Sequence, residues 1–258
     1  MSGPRRIWLT GASSGMGYEL ALQLLRQGHR LAVSARSIEP LQTLELRFPG
    51  QVLLVPGDLA DAQQVGEIGS RIAKAWGALD QVILNAGTCE YIDVRQFEAA
   101  MIERVVKTNL FASAYCLEAA LPLLRKGSQP HLVGVASAVT FLPLTRSEAY
   151  GASKAGVRYL YESLRIDLAA EGIDVTVISP GFVKTPLTDR NDFAMPMLWS
   201  AEKAASHIAA RLDKRPMEIA FPWPFITLLR TLACLPRRLS LHLTKRMVRD
   251  NSKESGQA

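Results

Sequence analysis

Two kinds of hydrophobic pattern alternate along the chain as far as about residue 222. Short runs that are nearly continuous in apolar residues are separated by longer segments in which apolar positions recur every three or four residues. Continuous apolar runs are typical of parallel strands covered on both faces, and the longer period is typical of amphipathic helices. Six runs predict strands: RIWLTGA, RLAVSA, QVLLVPGD, LDQVILNAG, PHLVGVAS and IDVTVISPG.

The intervening segments predict helices over 17–27, 40–48, 61–76, 97–125 and 148–170. Farther along, SAEKAASHIAARLDK predicts a helix with Ser200 as its N-cap, and MEIAFP predicts a last strand. Strands and helices that alternate this often indicate an α/β fold with a doubly wound parallel sheet. Because ligands bind such sheets at the carboxyl ends of the strands, we expect the functional residues at that edge. The segment LTDRNDFAMPMLW has no clear period and predicts a mobile loop.

A glycine-rich segment, TGASSGMG, follows the first predicted strand and opens the first helix. Gly11, Gly15 and Gly17 permit a tight turn and a close approach of the backbone to a ligand. The amide groups and the positive dipole end of the following helix would attract a diphosphate. The alternative is an ordinary glycine and serine turn between a strand and a helix.

The residues after the second, third and fourth strands refine the predicted ligand. Arg36 stands where an acidic residue would bind the ribose hydroxyls of NAD, and a guanidinium there suits the 2′-phosphate of NADP. We therefore predict NADP(H) in preference to NAD(H); the alternative is a solvated Arg36, and Ser13 or Ser37 could share the contact. Asp58 would hold the adenine amino group or cap a helix, and Asn85–Gly87 predicts a close turn beside the cofactor.

Tyr150 and Lys154 lie four residues apart in a predicted helix, so their side chains share one face. A phenol has a pKa near 10, and an ammonium about 4 Å away contributes about 4 kcal/mol at an effective dielectric constant of about 20. We therefore expect Lys154 to lower the pKa of Tyr150 by up to about three pH units, toward the range of a general acid. Only small residues separate the two, which leaves room for a substrate. The alternative is a solvated pair, which is the usual state of this spacing.

Two further polar residues accompany this pair. Ser137, at the end of the fifth strand, predicts a hydroxyl that faces Tyr150 across the sheet edge. Asn109 is unfavourable within an apolar helix, so it either has a function or satisfies backbone groups. With these residues in order, the chain from about residue 6 to residue 222 resembles the short-chain dehydrogenase/reductase family. The matching motifs are T-G-x-x-x-G-x-G at 10–17, N-A-G at 85–87, Y-x-x-x-K at 150–154, and P-G at 180–181 with a threonine at 185.

This resemblance implies a Rossmann-type sheet of about seven strands and a catalytic tetrad. In the family pattern Tyr150 is the acid–base residue, Lys154 lowers its pKa and binds the nicotinamide ribose, Ser137 orients the substrate oxygen, and Asn109 holds a water that relays protons. The cofactor contacts would come from Gly11, Ser13, Ser14, Gly15, Met16, Gly17, Arg36, Asp58, Leu59, Asn85, Ala86, Gly87, Tyr150, Lys154, Pro180, Gly181, Val183 and Thr185.

We predict an NADP(H)-dependent oxidoreductase that interconverts a ketone or aldehyde and its alcohol, with carbonyl reduction as the working direction. A lipophilic substrate is expected because the candidate pocket residues, apart from one serine, are apolar. Several of them could instead pack in the core. These residues are Ser137, Phe141, Leu144, Phe182, Leu187, Phe193 and Met197. A non-catalytic NADP(H) sensor on the same fold is the alternative, and it predicts loss of the tyrosine, lysine or serine, all of which are present.

The chain after residue 222 predicts a C-terminal helical extension, 223–258, within the same domain as the NADP-binding and catalytic part, 1–222. Apolar residues follow a helical spacing at Phe225, Leu228, Leu229 and Leu232, and the basic side has Arg237, Arg238, Lys245, Arg246 and Arg249. Pro222, Pro224 and Arg230 interrupt the run, which is short for a helix that spans a membrane. We favour packing over the substrate mouth or a dimer partner; an anchor on an anionic membrane is the alternative.

The composition of the chain bears on its partners, on metal and disulfide sites, and on its location in the cell. The formal net charge is +6, but ten basic residues against two acidic ones lie between Lys203 and Arg249, so the dinucleotide-binding half is not basic. No nucleic-acid-binding motif is present, and we predict no nucleic-acid partner. Three scattered cysteines predict neither a metal site nor a disulfide framework. We read no secretory signal, and expect a cytoplasmic protein, with peripheral membrane contact as the alternative. As in the family, we expect a homodimer or homotetramer through the 97–125 and 148–170 helices.

Overall fold

A single parallel sheet of seven strands forms the centre of the computed structural model, which describes residues 3–191 and 193–245. These strands are β1 (Arg6–Thr10), β2 (Arg30–Ser34), β3 (Val52–Leu54), β4 (Gln81–Leu84), β5 (His131–Val135), β6 (Asp174–Pro180) and β9 (Glu218–Phe221). Their order in the sheet is β3-β2-β1-β4-β5-β6-β9. The chain therefore reverses its direction of travel between β1 and β4, which opens a crevice at the carboxyl ends of these two strands.

Helices cover both faces of the sheet. They are α1 (Gly15–Arg26), α2 (Glu39–Arg47), α3 (Ala62–Trp76), α4 (Ala99–Val106), α5 (Ala112–Leu124), α6 (Glu148–Ala169) and α7 (Ala201–Leu212). Along β1, Ile7 and Leu9 pack in one core with α1, α2 and α7, whereas Trp8 packs in the other core with α3, α5 and α6. Because strand side chains alternate in direction, a run that is apolar at every position requires two cores. The predicted α/β fold with a doubly wound, Rossmann-type sheet is confirmed.

The long helix predicted over 97–125 is present without a break from Ala99 to Leu124, but it is not α-helical throughout. The structure has a short 3-10 turn at Val94–Gln96, then α4, a π-helical turn at Lys107–Phe111, and α5. The Asn109 side chain lies in the π-helical turn and bonds to a loop outside the helix. Single π-helical turns of this kind often occur at functional sites.

The loop after β6 contains more regular structure than its irregular sequence predicts. A 3-10 turn forms at Thr188–Arg190, and β8 (Trp199–Ser200) pairs in parallel with β7 (Val183–Lys184). The Trp199 ring stacks on Phe221, with ring centres 5.0 Å apart, and this contact holds the returning chain against β9. Ser200 is the N-cap of α7, as predicted, with its hydroxyl oxygen accepting a bond from the Lys203 amide at 3.1 Å.

Two helices follow the last strand, α8 (Trp223–Cys234) and α9 (Arg237–Lys245). Pro224 does not interrupt α8, because it lies in the first turn, where a helix does not need the missing N–H group. The basic residues predicted at 246 and 249 lie outside the described residues. Within the part of the chain that the structure covers, no helix is both long enough and apolar enough to cross a bilayer.

Candidate active site

The loop between β1 and α1 is fixed by backbone contacts. Gly11 has a left-handed φ of 68°, and its amide donates to the Ser34 carbonyl at 2.8 Å. A Cβ on Gly17 would lie 2.1 Å from the carbonyl oxygen of Gly11 and 2.4 Å from the amide nitrogen of the Asn85 side chain. Real Cβ atoms do not approach the backbone this closely. The turn can therefore close only with glycine at position 17.

The start of α1 opens into a cleft of about 190 Å³. The Ser14 side chain makes no capping hydrogen bond to a described amide, so the first amides of α1 keep their donors directed beyond the helix end. Together with the helix dipole, this favours an anionic group such as the diphosphate of a dinucleotide. The predicted residues that line the cleft are Ser14, Gly15, Met16, Gly17, Asn85, Ala86, Gly87, Tyr150, Lys154, Pro180, Gly181, Val183 and Thr185.

The loop after β4 is tied to the end of β1. The Thr10 hydroxyl accepts bonds from the amides of Asn85 and Ala86, at 3.0 and 3.1 Å. The Asn85 side chain donates in turn to the carbonyl oxygens of Thr10 and Gly11. The N-A-G motif therefore shapes the floor of the cleft by holding two neighbouring strand ends together.

The remaining predicted cofactor residues lie at the carboxyl ends of β1, β2 and β3, outside the lining of the cleft. Arg36 is exposed and follows Ala35, whose carbonyl accepts a bond from the Gly57 amide at 3.1 Å. The Asp58 side chain is also exposed and accepts a bond from the Ala60 amide, so it does not cap α3. That N-cap is Asp61, which accepts bonds from two amides of the first turn. Ser13 is half-buried and Leu59 is buried on the same edge.

Ser137 and Tyr150 come together at the end of β5. Ser137 is the N-cap of a short 3-10 turn, Ala138–Thr140, and its hydroxyl oxygen accepts a bond from the Val139 amide at 3.2 Å. The Ser137 and Tyr150 side chains line the same cavity, and the serine hydroxyl acts to lower the pKa of the phenol. The structure therefore brings the predicted serine and the predicted phenol together at this edge of the sheet, and their catalytic roles stay predictions.

Lys154 is buried one turn farther along α6. Its Nζ donates to the Val135 carbonyl at 2.8 Å and lies 5.9 Å from the centre of the Tyr150 ring. Burial lowers the pKa of Lys154 to about 8, an effect that the neighbouring Cys89 thiol partly opposes. The ammonium is thus held by the backbone of β5 at the lining of the cleft.

The expected direction of the Tyr150 pKa is wrong for this structure. Burial raises the pKa of Tyr150 above its ordinary value, the nearby Cys89 thiol raises it further, and only the Ser137 hydrogen bond acts in the other direction. The sequence argument assumed an ammonium about 4 Å from the phenol in a polarisable medium. It could not include the removal of the phenol from water, which disfavours the phenolate.

Asn109 organises the loop beside this pair. Its side-chain oxygen accepts from the Thr88 amide at 2.7 Å, and its nitrogen donates to the Thr88 carbonyl at 2.9 Å and to the Ser153 hydroxyl at 2.8 Å. The Ser153 hydroxyl donates to the Tyr150 carbonyl. Both amide hydrogens of Asn109 are therefore used within the protein, and the residue links the loop after β4 to the helix that bears Tyr150.

A second cavity, of about 290 Å³, adjoins the cleft. Five of the predicted pocket residues line it: Ser137, Leu144, Phe182, Leu187 and Phe193. Phe141 and Met197 do not. The Phe141 ring is covered by the guanidinium groups of Arg158 and Arg230, at 4.9 and 4.6 Å, and Met197 is half exposed to water. Tyr150 lines both the cavity and the cleft, together with Pro180, Gly181, Leu187 and Thr188.

Comparison with known proteins agrees with this geometry. The family model for short chain dehydrogenases matches residues 5–194. The chain belongs to the short-chain dehydrogenase/reductase family. It is an oxidoreductase with the NAD(P)-binding Rossmann fold of that family.

Three proteins illustrate the relationship. An uncharacterized oxidoreductase of Myxococcus xanthus is 37% identical over 241 residues, which cover 91% of this chain and 94% of the relative. The crystal structure of a short-chain dehydrogenase from Streptomyces avermitilis matches with a TM-score of 0.82 at 22% identity, covering 94% of this chain and 96% of the other. An alcohol dehydrogenase from Thermococcus sibiricus, complexed with 5-hydroxy-NADP, matches with a TM-score of 0.76 at 22% identity, covering 85% and 96%.

Several residues of this short-chain dehydrogenase that line the cavity were missed from the sequence. Cys89 and Tyr91 directly follow the N-A-G loop, and their position after a strand was a usable signal. Phe225 and Leu229 were recognised as one side of an amphipathic helix, but the sequence did not show what that side covers. Asn191 lies in an aperiodic loop, and no sequence signal indicates that its side chain lines the cavity beside Tyr91.

Proposed function

We propose that this dehydrogenase is an NADP(H)-dependent carbonyl reductase, which interconverts a lipophilic ketone or aldehyde and its alcohol with Tyr150 as the general acid and base. The observation that carries the proposal is the position of Tyr150, which lines the cofactor cleft and the apolar cavity at once. A group that donates a proton to a carbonyl oxygen during hydride transfer has to reach both compartments.

The residues around Tyr150 support this role. Its raised pKa keeps the phenol protonated near neutral pH, which is the state that a proton donor in carbonyl reduction requires. The Ser137 hydroxyl, in the same cavity as the phenol, would orient the substrate oxygen between the two groups. Lys154, fixed by the Val135 carbonyl, would present its ammonium to the ribose hydroxyls of the cofactor. When bound, the nicotinamide supplies the hydride.

The positive charge of Arg36 favours NADP(H) over NAD(H). Arg36 is exposed at the carboxyl end of β2, next to the glycine-rich loop that Ser34 holds through the Gly11 amide. A guanidinium at this place complements a 2′-phosphate, whereas an acidic residue would complement the ribose hydroxyls of NAD. The Thermococcus sibiricus structure, which holds an NADP derivative, is consistent with this preference for the fold.

A lipophilic substrate is favoured by the aromatic lining of the cavity. Tyr91 packs edge-on against Phe193, with ring centres 5.4 Å apart, and Phe193 contacts Phe182 at 5.9 Å. Phe182 in turn contacts Phe225 of α8 at 5.5 Å. This row of rings is matched by a polar end formed by Ser137 and Tyr150, so an apolar body with one carbonyl group fits the cavity.

The decisive experiment compares Tyr150→Phe with Tyr159→Phe, which removes an exposed hydroxyl from the same helix. NADPH binding is measured by fluorescence titration, and turnover is measured with a panel of ketones and aldehydes of increasing apolar size. We expect Tyr150→Phe to lower kcat/KM by roughly 100- to 10,000-fold, the usual contribution of a general acid, while NADPH affinity is retained. Unchanged turnover in Tyr150→Phe would reject the mechanism. NADPH binding without turnover of any compound by the natural chain would favour a sensor.

Cofactor preference is tested separately with Arg36→Asp. Loss of a charge-assisted bond to the 2′-phosphate should weaken NADPH binding by roughly 10- to 100-fold and leave NADH binding much less affected. Arg26→Asp, an exposed change on α1, is the matched control. Equal losses for both cofactors in Arg36→Asp would contradict the 2′-phosphate assignment.

A further inference from the structure

The helices after the last strand have two contrasting surfaces. Phe225, Ile226 and Leu229 of α8 are buried, and Phe225 and Leu229 line the apolar cavity. The opposite side of α8 exposes Trp223, at 75% of its surface, and Leu228, at 50%. Exposed apolar side chains that cluster in one segment, rather than standing singly, are the kind of surface that marks an interaction site.

The next helix also exposes leucine side chains, and it adds charge. Leu239 and Leu241 of α9 are 46% and 53% exposed. We call the exposed apolar and basic residues of α8 and α9 the tail face; it comprises Trp223, Leu228, Arg237, Arg238, Leu239, Leu241 and Lys245. The sequence from Trp223 to Lys245 contains four basic residues and no acidic residue.

Helix α8, which carries Trp223 and Leu228 of the tail face, is tied to the last strand of the sheet. Arg230 of α8 forms an ion pair with Glu218 of β9, and Glu218 also accepts bonds from Arg158 of α6 at 2.7 Å and from the Ser179 hydroxyl at 2.7 Å. The Phe141 ring lies between the two guanidinium groups. Helix α8 therefore presents the tail face outward while its other side stays in place over the cavity.

Exposed tryptophan and leucine interspersed with basic residues complement an anionic lipid bilayer. The indole and leucine side chains enter the boundary between head groups and acyl chains, and lysine and arginine are attracted to the negative surface potential. A purely apolar protein partner would leave the basic residues without complementary charge. An acidic protein partner would leave the exposed tryptophan and leucines without apolar contacts.

We propose that the tail face docks peripherally on an anionic lipid bilayer. Because α8 lines the cavity with its inner side, docking would bring the cavity close to the membrane. A lipophilic substrate could then pass from the lipid with a short path through water; this last step rests on the proposed function, whereas the docking does not.

The test is co-sedimentation of the full chain with vesicles of phosphatidylcholine alone or mixed with phosphatidylglycerol. We expect binding to the anionic vesicles that weakens as salt is raised, and at least about tenfold weaker binding to the neutral vesicles. Trp223→Ser/Leu228→Ser and Arg237→Glu/Arg238→Glu should each weaken binding to anionic vesicles by about tenfold or more.

Matched controls change similar residues elsewhere. Leu46→Ser removes an exposed leucine of α2, and Arg26→Glu/Lys74→Glu reverses two exposed charges on α1 and α3. Both controls should bind as the natural chain does. Circular dichroism and NADPH titration establish that each variant is folded.

Three results would overturn the proposal: no binding to anionic vesicles, equal binding to neutral ones, or equal losses in the controls. Light scattering distinguishes a second copy of the chain as the occupant. If Trp223→Ser/Leu228→Ser lowers the oligomer mass and vesicle binding is absent, the tail face is a contact between copies. Since sedimentation does not measure turnover, failure here leaves the carbonyl reductase assignment standing, and loss of that assignment leaves the docking result intact.

Discussion

The cofactor cleft and the apolar cavity meet at Tyr150 but are built from different parts of the chain. The cleft is lined largely by backbone and small residues at strand ends, such as Gly15 and Gly87, whose positions follow from the parallel sheet. The cavity is lined by larger side chains from the loop after β4, from the segment after β6, and from α8. The shape of the cleft is therefore determined by the backbone of the sheet and its loops. The shape of the cavity is determined by side chains that come from separate segments of the chain.

This difference has an energetic consequence. A backbone contact such as that between Gly17 and Gly11 cannot relax when an atom is added, because both partners belong to fixed elements. A row of rings such as Phe193, Phe182 and Phe225 can repack around a changed neighbour at a smaller loss. The cleft should thus tolerate almost no substitution, and the cavity should change its preference for substrates while the protein stays folded.

The sharpest contrast is between two glycine-to-alanine changes. Gly17→Ala places a Cβ 2.1 Å from the Gly11 oxygen, and we expect the free energy of unfolding to fall by about 3 kcal/mol or more. Gly66→Ala, on the exposed side of α3 with no atom within 4 Å of the new Cβ, should raise it by about 0.5–1 kcal/mol. Urea unfolding of both variants measures the difference. A Gly17→Ala protein as stable as the natural one would contradict the claim that the backbone of the cleft cannot relax.

On the cavity side, Phe225→Ala should separate stability from cofactor binding. We expect the free energy of unfolding to fall by about 3 kcal/mol, because a buried ring that touches Phe182 is lost. NADPH affinity should stay unchanged, while the KM for bulkier carbonyl compounds should fall relative to the KM for small ones. Leu46→Ala, at an exposed position on α2, serves as the control and should change stability by less than about 0.5 kcal/mol. A large drop in NADPH affinity for Phe225→Ala would show that the two compartments are not independent.

Lys154 lines the cleft but not the cavity, and its burial makes the stability of the protein depend on pH. Its pKa falls from an ordinary value of 10.5 to about 8 on burial, so between these values the unfolded chain binds more protons than the folded one. The stability of the natural protein, relative to Lys154→Met, should therefore rise with pH across this window, by up to about 1.4 kcal/mol per pH unit, and stay level below about pH 8. Denaturant unfolding from pH 7 to 11 measures this, and a level difference throughout would contradict the burial argument.

The smallest expected effect concerns Tyr91, whose hydroxyl interacts with the side chains of Cys89 and Asn191 beside the cavity. Tyr91→Phe should lower the free energy of unfolding by about 1 kcal/mol, the net value of an ordinary hydrogen bond. It should leave NADPH affinity as it is, since Tyr91 lines only the cavity. Thermal unfolding with and without NADPH tests both statements, and a change in the NADPH-induced stabilisation would place Tyr91 in the cleft instead.

The prediction of the fold succeeded because its signals are local and periodic. Continuous apolar runs such as that of β1 require two cores, and alternation with helices leaves a doubly wound sheet as the arrangement that supplies them. The same logic placed Ser137 and Tyr150 together, since both follow strand ends on one edge. The prediction failed where the answer depended on distant partners, as for the π-helical turn at Asn109 and for Phe141 and Met197.

By itself, the sequence determined the order of elements, the glycine turn and the edge at which the site forms, because these follow from backbone geometry and from a period read along the chain. Only the tertiary structure decided the direction of the Tyr150 pKa and which residues Phe225 contacts. Burial and side-chain contacts depend on which surfaces meet, and residues such as Cys89 and Phe225, more than a hundred positions apart, have no common signal before the chain has folded.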